Sequence, residues 1–139
     1  MSADKTTNTN KRILIIEDNE SFMKMMRMRL KSAGYKVICA NDGLSGLNLA
    51  RQKKPDLIIL DLMLPGMHGH QVCRMLKFDK QYAHIPVLIF TSRDMEKDAE
   101  LAKSCRADAY VIKTINSAIV MEIIGDLIKR ASTLQAKNR

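Results

Sequence analysis

Three short runs of branched apolar residues constrain this chain most: Ile13-Leu14-Ile15-Ile16, Leu57-Ile58-Ile59-Leu60 and Val87-Leu88-Ile89-Phe90. Each is too short for a helix, and none shows the apolar–polar alternation of a strand with one wet face. Runs of this kind are strands buried on both sides, as in parallel sheets. Two more strands are expected, at Lys36–Ala40 around Val37 and Ile38, and at Ala109-Tyr110-Val111-Ile112.

Between the strands the period changes to that of a helix. Phe22, Met26, Leu30 and Ala33 share one helical face, and Gly34 suits the stop. Asn41-Asp42-Gly43 opens a second helix carrying Leu44, Leu47, Leu49 and Ala50. A third helix is expected from about His70 to Phe78 and a fourth from Met95 to Cys105. Asn116 caps the last, with Ile115 and Val120 spaced as a hydrophobic staple. Its apolar stripe passes through Ile124, Leu127, Ile128, Ala131 and Leu134, and it is expected to end near Gln135. Five strand–helix units with right-handed crossovers make an open, doubly wound α/β domain with a parallel sheet.

The 139 residues suit one domain. Residues 1–10 lack an apolar segment and read as a polar, disordered tail rather than a signal peptide. Residues 11–135 form the domain and residues 136–139 a short C-terminal tail. No run of eighteen apolar residues occurs, so no membrane span is expected. Cys39, Cys73 and Cys105 form no CxxC pair and read as reduced thiols packed as small hydrophobes, which fits a cytoplasmic chain. The net charge of +8 is spread along the chain and reads as solvated basic surface, with an acidic partner or weak nucleic-acid contact as the other readings. Aromatic residues make up 4%, with no Trp and no recognition helix, which argues against nucleic acid as a partner.

The residues that end the strands carry the chemistry. They are Glu17-Asp18, Asp61, Thr91 and Lys113. In a parallel sheet these ends share one edge, where open α/β sheets bind their ligands. Three carboxylates brought together repel one another unless a cation joins them. Mg²⁺ suits oxygen donors of this kind, and a lysine and a hydroxyl suit the oxygens of a transferring phosphoryl group. The chain has no P-loop and no GxGxxG fingerprint, and Met63 stands where a two-aspartate phosphatase needs its second acid. His68 and His70 have no third nitrogen or sulfur ligand nearby in sequence and read as loop residues rather than a transition-metal site. Met23, Met25, Met26 and Met28 read as core and helix filling.

These residues resemble the response-regulator receiver family of two-component signalling. The resemblance runs from about Lys11 to Ala131. Its strongest stretch is Pro55-Asp56-Leu57-Ile58-Ile59-Leu60-Asp61-Leu62-Met63-Leu64-Pro65-Gly66-Met67-His68-Gly69, supported by Ile16-Glu17-Asp18, Phe90-Thr91-Ser92 and Ala107-Asp108-Ala109-Tyr110-Val111-Ile112-Lys113. It implies a flavodoxin-like strand order 2-1-3-4-5 with five helices. It also implies that Asp61 is the phosphoacceptor. Asp18 is then a direct Mg²⁺ ligand, Glu17 the second acid, and the Met63 carbonyl a backbone ligand. Thr91 and Lys113 contact the attached phosphoryl, and Tyr110 is the switch aromatic. The implied donor is a histidine kinase or phosphotransfer protein. The implied output runs through helix four, strand five and helix five to a protein target or to an output domain outside this chain. Such a domain catalyses only its own phosphorylation and dephosphorylation.

A receiver-like scaffold that binds proteins without phosphorylation is the competing class, and it tends to lose the acids or the lysine. Three positions depart from the family pattern. Thr114 replaces the usual proline after Lys113, so a trans bond is expected there. Arg106 stands where glycine often ends helix four, so a left-handed cap would be strained. His68 stands where Asp or Asn is common.

Overall fold

The apolar runs pair side by side, and their flanking helices cover both faces. The computed structural model describes residues 10–92 and 96–137. Most of the expected N-terminal tail, Met95, and the last two residues lie outside the described residues. The strands are β1 (Arg12–Ile16), β2 (Lys36–Ala40), β3 (Leu57–Asp61), β4 (Val87–Thr91) and β5 (Ala109–Ile112). The helices are α1 (Glu20–Ser32), α2 (Gly43–Lys53), α3 (Gly69–Lys77), α4 (Glu96–Ser104) and α5 (Ser117–Lys137). The sheet order is β2-β1-β3-β4-β5, with every pair parallel.

Alternation along each strand divides the core in two. Leu14, Ile16, Ile58, Leu60, Val87 and Ile89 meet Leu47 and Ala50 of α2, Val72 and Leu76 of α3, and Ala102 of α4. Ile13, Ile15, Leu57, Ile59, Leu88 and Phe90 meet Met26 and Leu30 of α1 and Val120, Ile124, Leu127 and Ile128 of α5. The central strands bury both sets, which is why their sequences are apolar throughout. Each fully buried Leu, Ile or Val contributes about 1.5–3 kcal/mol relative to exposure.

Local signals set the helix ends. The Asn19 side chain accepts from the Phe22 amide at 2.9 Å and that of Asp42 from the Ser45 amide at 2.8 Å. Asn116 accepts from the Ala118 amide at 2.8 Å. Gly34 follows α1 with φ 98°, as its place in the sequence anticipates. Arg106 adopts φ 62°, and its guanidinium lies 4.2 Å from the Phe78 ring centroid. Lys54 caps α2 with φ 45°, a left-handed residue ahead of Pro55 that the sequence did not signal. No cis peptide bond occurs among the described residues, so the Lys113–Thr114 bond is trans.

Several expectations need correction. Helix α3 starts at Gly69 rather than His70, because His68 is its cap and Gln71 Oε1 accepts from the His68 amide at 2.9 Å. Helix α5 continues to Lys137, two residues past the expected end. Of the methionine cluster, Met26 is buried in the core and Met23 packs against it. Met25 and Met28 are 39% and 63% exposed, because they lie on the face of α1 turned from the sheet. They line a groove of about 930 Å³ between α1 and α5 with Lys24, Arg29 and Met121. Leu44 and Leu134 are likewise exposed, at 57% and 59%. Cys73 and Cys105 are buried free thiols, whereas Cys39 is half-buried on the edge strand β2.

Candidate functional site

Register brings the strand ends level. Ile16 pairs with Leu60, Asp61 with Phe90, and Thr91 with Ile112. The residue after each pairing therefore opens onto the same edge of the sheet. Glu17, Asp18 and Asp61 each present a carboxylate oxygen there, and these oxygens lie within 4.8 Å of one another. Lys113 enters from the end of β5, with Nζ 2.6 Å from Glu17 Oε1 and 3.7 Å from Asp61 Oδ2. Glu17 and Asp61 are buried, and Asp18 is exposed.

Each group is held by its local structure. The Glu17 amide donates to the Ala40 carbonyl of β2, and Glu17 Oε2 accepts from the Asn19 amide at 2.9 Å. Asp61 Oδ1 accepts from the Met63 amide at 3.2 Å. The Lys113 amide donates to the Thr91 carbonyl at 2.7 Å, which ties the β4 and β5 ends together. Its ammonium also sits 4.4 Å over the Phe22 ring, which packs edge-on against Phe90 at 5.4 Å. Phe22 therefore serves the site as well as the core. Its sequence signal, an aromatic on the inward stripe of the first helix, spoke only for packing.

Gly69 sets the approach of α3 to this edge. A Cβ there would overlap the Asp61 carbonyl oxygen and the Leu62 backbone, so no larger residue fits without moving the strand end. The Gly69 amide donates to the Leu62 carbonyl at 3.2 Å.

The electrostatics follow from crowding. Burial, followed by the Glu17 carboxylate, pushes the Asp61 carboxyl up to about 7, while Lys113 and the Met63 amide pull the other way. One ammonium does not balance this set of acids. The donors are all oxygens, hard and closely spaced, and that chemistry fits Mg²⁺ rather than a soft metal. His68 and His70 stack on each other with centroids 5.9 Å apart, and neither belongs to the acidic group.

Thr91 and Tyr110 stand differently from the acids. Thr91 is fully buried, and its hydroxyl donates to Asp98 Oδ2 of α4 at 3.2 Å. Tyr110 is half-buried and packs against the cluster beneath α2, α3 and α4. The sequence reading passed over Asp98. Its signal was helical spacing, since Asp98 lies one turn before the buried Ala102 and so falls on the inward stripe of α4.

A model of the response regulator receiver domain family matches residues 13–125. The chain is 39% identical over 114 residues to the polar-differentiation response regulator DivK of Brucella anthropi, covering 82% of this chain and 93% of that protein. It is 37% identical over 122 residues to the alkaline phosphatase synthesis transcriptional regulatory protein PhoP of Bacillus subtilis, where the match covers 88% of this chain but 50% of that protein. Among solved structures it is similar to the receiver domain of sensor histidine kinase PA1611 from Pseudomonas aeruginosa PAO1, which has a magnesium ion in its active-site cleft. That likeness has TM-score 0.80 and 24% identity, covers 86% of this chain and 98% of that one, and speaks for the fold.

Proposed function

The chain belongs to the response regulator receiver domain family, and we propose that its Asp61 takes a phosphoryl group from a phosphohistidine donor. Receiver domains are signalling switches of two-component systems rather than enzymes acting on a separate substrate. They bind Mg²⁺ in the acidic pocket and work with histidine kinases or phosphotransfer proteins and with downstream effectors. The observation that carries the proposal is the cluster of Glu17, Asp18 and Asp61 oxygens within 4.8 Å, beside the Lys113 ammonium.

An Asp61 carboxylate oxygen attacks phosphorus in line. As the new O–P bond forms, the bond from phosphorus to the imidazole nitrogen breaks, and that nitrogen keeps the electron pair. Glu17, Asp18, Asp61 and the Met63 carbonyl are the groups that would hold Mg²⁺. When bound, the ion neutralises charge on the phosphoryl oxygens. Lys113 is held by Glu17 and Phe22 close enough to Asp61 to meet a phosphoryl oxygen. Thr91 supplies a hydroxyl donor once it turns toward the phosphoryl, and Tyr110 follows that movement.

We assign residues 11–135 to the receiver unit. We place the switch in the cytoplasm, where response regulators typically work; no helix among the described residues is long and apolar enough to cross a membrane. The retained acids, threonine and lysine speak against a scaffold that works without phosphorylation. Incubation with acetyl phosphate and Mg²⁺ tests the assignment by intact mass. The wild-type chain should gain one phosphate, and Asp61→Asn should gain none. Full labelling of Asp61→Asn would remove Asp61 from its role.

A further inference from the structure

We propose that Asp98 is a positioning residue that holds the Thr91 hydroxyl in the unphosphorylated state and must give it up when a phosphoryl group is captured. The inference rests on the reading of Thr91 as a phosphoryl contact. The Thr91 hydroxyl donates to Asp98 Oδ2 at 3.2 Å, and both residues are 0% exposed. A hydroxyl has one proton to donate. A donation to Asp98 and one to a phosphoryl oxygen on Asp61 therefore exclude each other. Capture at Asp61 draws the proton away and takes this one donor from the buried Asp98 carboxylate, a loss that opposes capture.

Asp98 lies in the first turn described for α4, so the loss is felt by that helix rather than by β4. Helix α4 packs through Leu101 and Ala102 on the cluster that includes Tyr110. The Thr91–Asp98 bond is thus a direct link between the acceptor edge and the α4–β5 face. It also sets the balance of the switch, because a stronger Asp98 acceptor makes capture harder.

Beryllofluoride with Mg²⁺ mimics the attached phosphoryl, and its affinity for the whole chain reads that balance by titration calorimetry. Asp98→Ala removes the acceptor and should tighten beryllofluoride by about tenfold. Asp98→Asn keeps an uncharged acceptor and should fall between wild type and Asp98→Ala, since hydrogen bonds to charged groups are the stronger ones. Thr91→Ala should weaken binding. In the Thr91→Ala background, Asp98→Ala should change affinity by less than about twofold, because its effect acts through the hydroxyl. A purely structural loosening of α4 would instead persist in that background and would overturn the proposal. Weakened binding by Thr91→Ala together with wild-type or lower affinity in the Asp98 variants would also overturn it, leaving the Thr91 reading intact. Unchanged affinity in Thr91→Ala would sink that reading, and the link with it. Should Asp98→Ala fail to fold, Asp98→Asn decides, and wild-type affinity there counts against the link.

Discussion

Asp61 is buried beside Glu17, and that neighbourhood sets its proton affinity. Its carboxyl is pushed up from 3.8 to about 7 by burial and by the Glu17 charge. A carboxyl with a folded-state value above its unfolded value holds its proton more tightly when folded, so acid favours the fold. The metal-free chain should therefore lose stability as pH rises from about 4, and the loss should be complete above about 7. At about 1.4 kcal/mol per pKa unit, the full loss is of the order of 4 kcal/mol. Thermal unfolding at pH 5 and pH 8 in the presence of a chelator measures it. Asp61→Asn should lack most of the drop, and Mg²⁺ should suppress it in the wild type. An identical pH profile in Asp61→Asn would place the titrating group elsewhere.

The elements meet the site through two tight backbone positions. Helix α3 reaches the end of β3 only because Gly69 has no Cβ to strike the Asp61 carbonyl. Gly69→Ala forces a backbone shift at the acceptor. We expect it to cost about 2 kcal/mol or more in chemical denaturation and to slow labelling by acetyl phosphate. Normal labelling at wild-type stability would show that α3 can retreat freely. The turn after α4 poses the opposite problem. Arg106 carries a positive φ of 62°, which costs an ordinary residue about 1–2 kcal/mol. Its guanidinium recovers part of that over Phe78. Arg106→Gly alone should thus alter stability by less than about 1 kcal/mol. With Phe78→Ala the recovery is gone, and the same change should become stabilising. A clear gain from Arg106→Gly alone would mean that the stacking contributes nothing.

At the scale of the molecule, charge is divided unevenly. The chain carries 23 Lys and Arg against 15 Asp and Glu. Three of those acids, Glu17, Asp18 and Asp61, are gathered at the acceptor edge. The remaining surface is correspondingly more basic, and it should attract an acidic phosphodonor domain over a range set by ionic screening, about 8–10 Å at ordinary salt. Transfer from a purified acidic phosphotransfer domain should slow by about tenfold between low and high salt. Labelling by acetyl phosphate should respond far less. An equal response from both donors would mean that the basic residues are only solvated surface.

Strand identity, parallel pairing and the place of the acids were legible in the sequence. The central strands are apolar on both faces, and the chain places Glu17-Asp18, Asp61, Thr91 and Lys113 directly after the runs. A parallel sheet then brings those ends to one edge, whatever the details of packing. The helix starts at Asp42 and Asn116 were legible for the same reason, since each side chain acts on an amide within three residues, whereas the Asn19 cap was not read from the sequence. What tertiary structure alone decided depends on distance and rotation across the fold. The outward turn of Met25 and Met28 depends on how α1 sits against the sheet, and a run of methionines does not encode that angle. The pairing of Lys113 with Glu17 over the Phe22 ring joins three separate segments. The Thr91–Asp98 bond requires the first turns of α4 to lie over the end of β4, and local spacing says only that Asp98 faces inward, not what it meets.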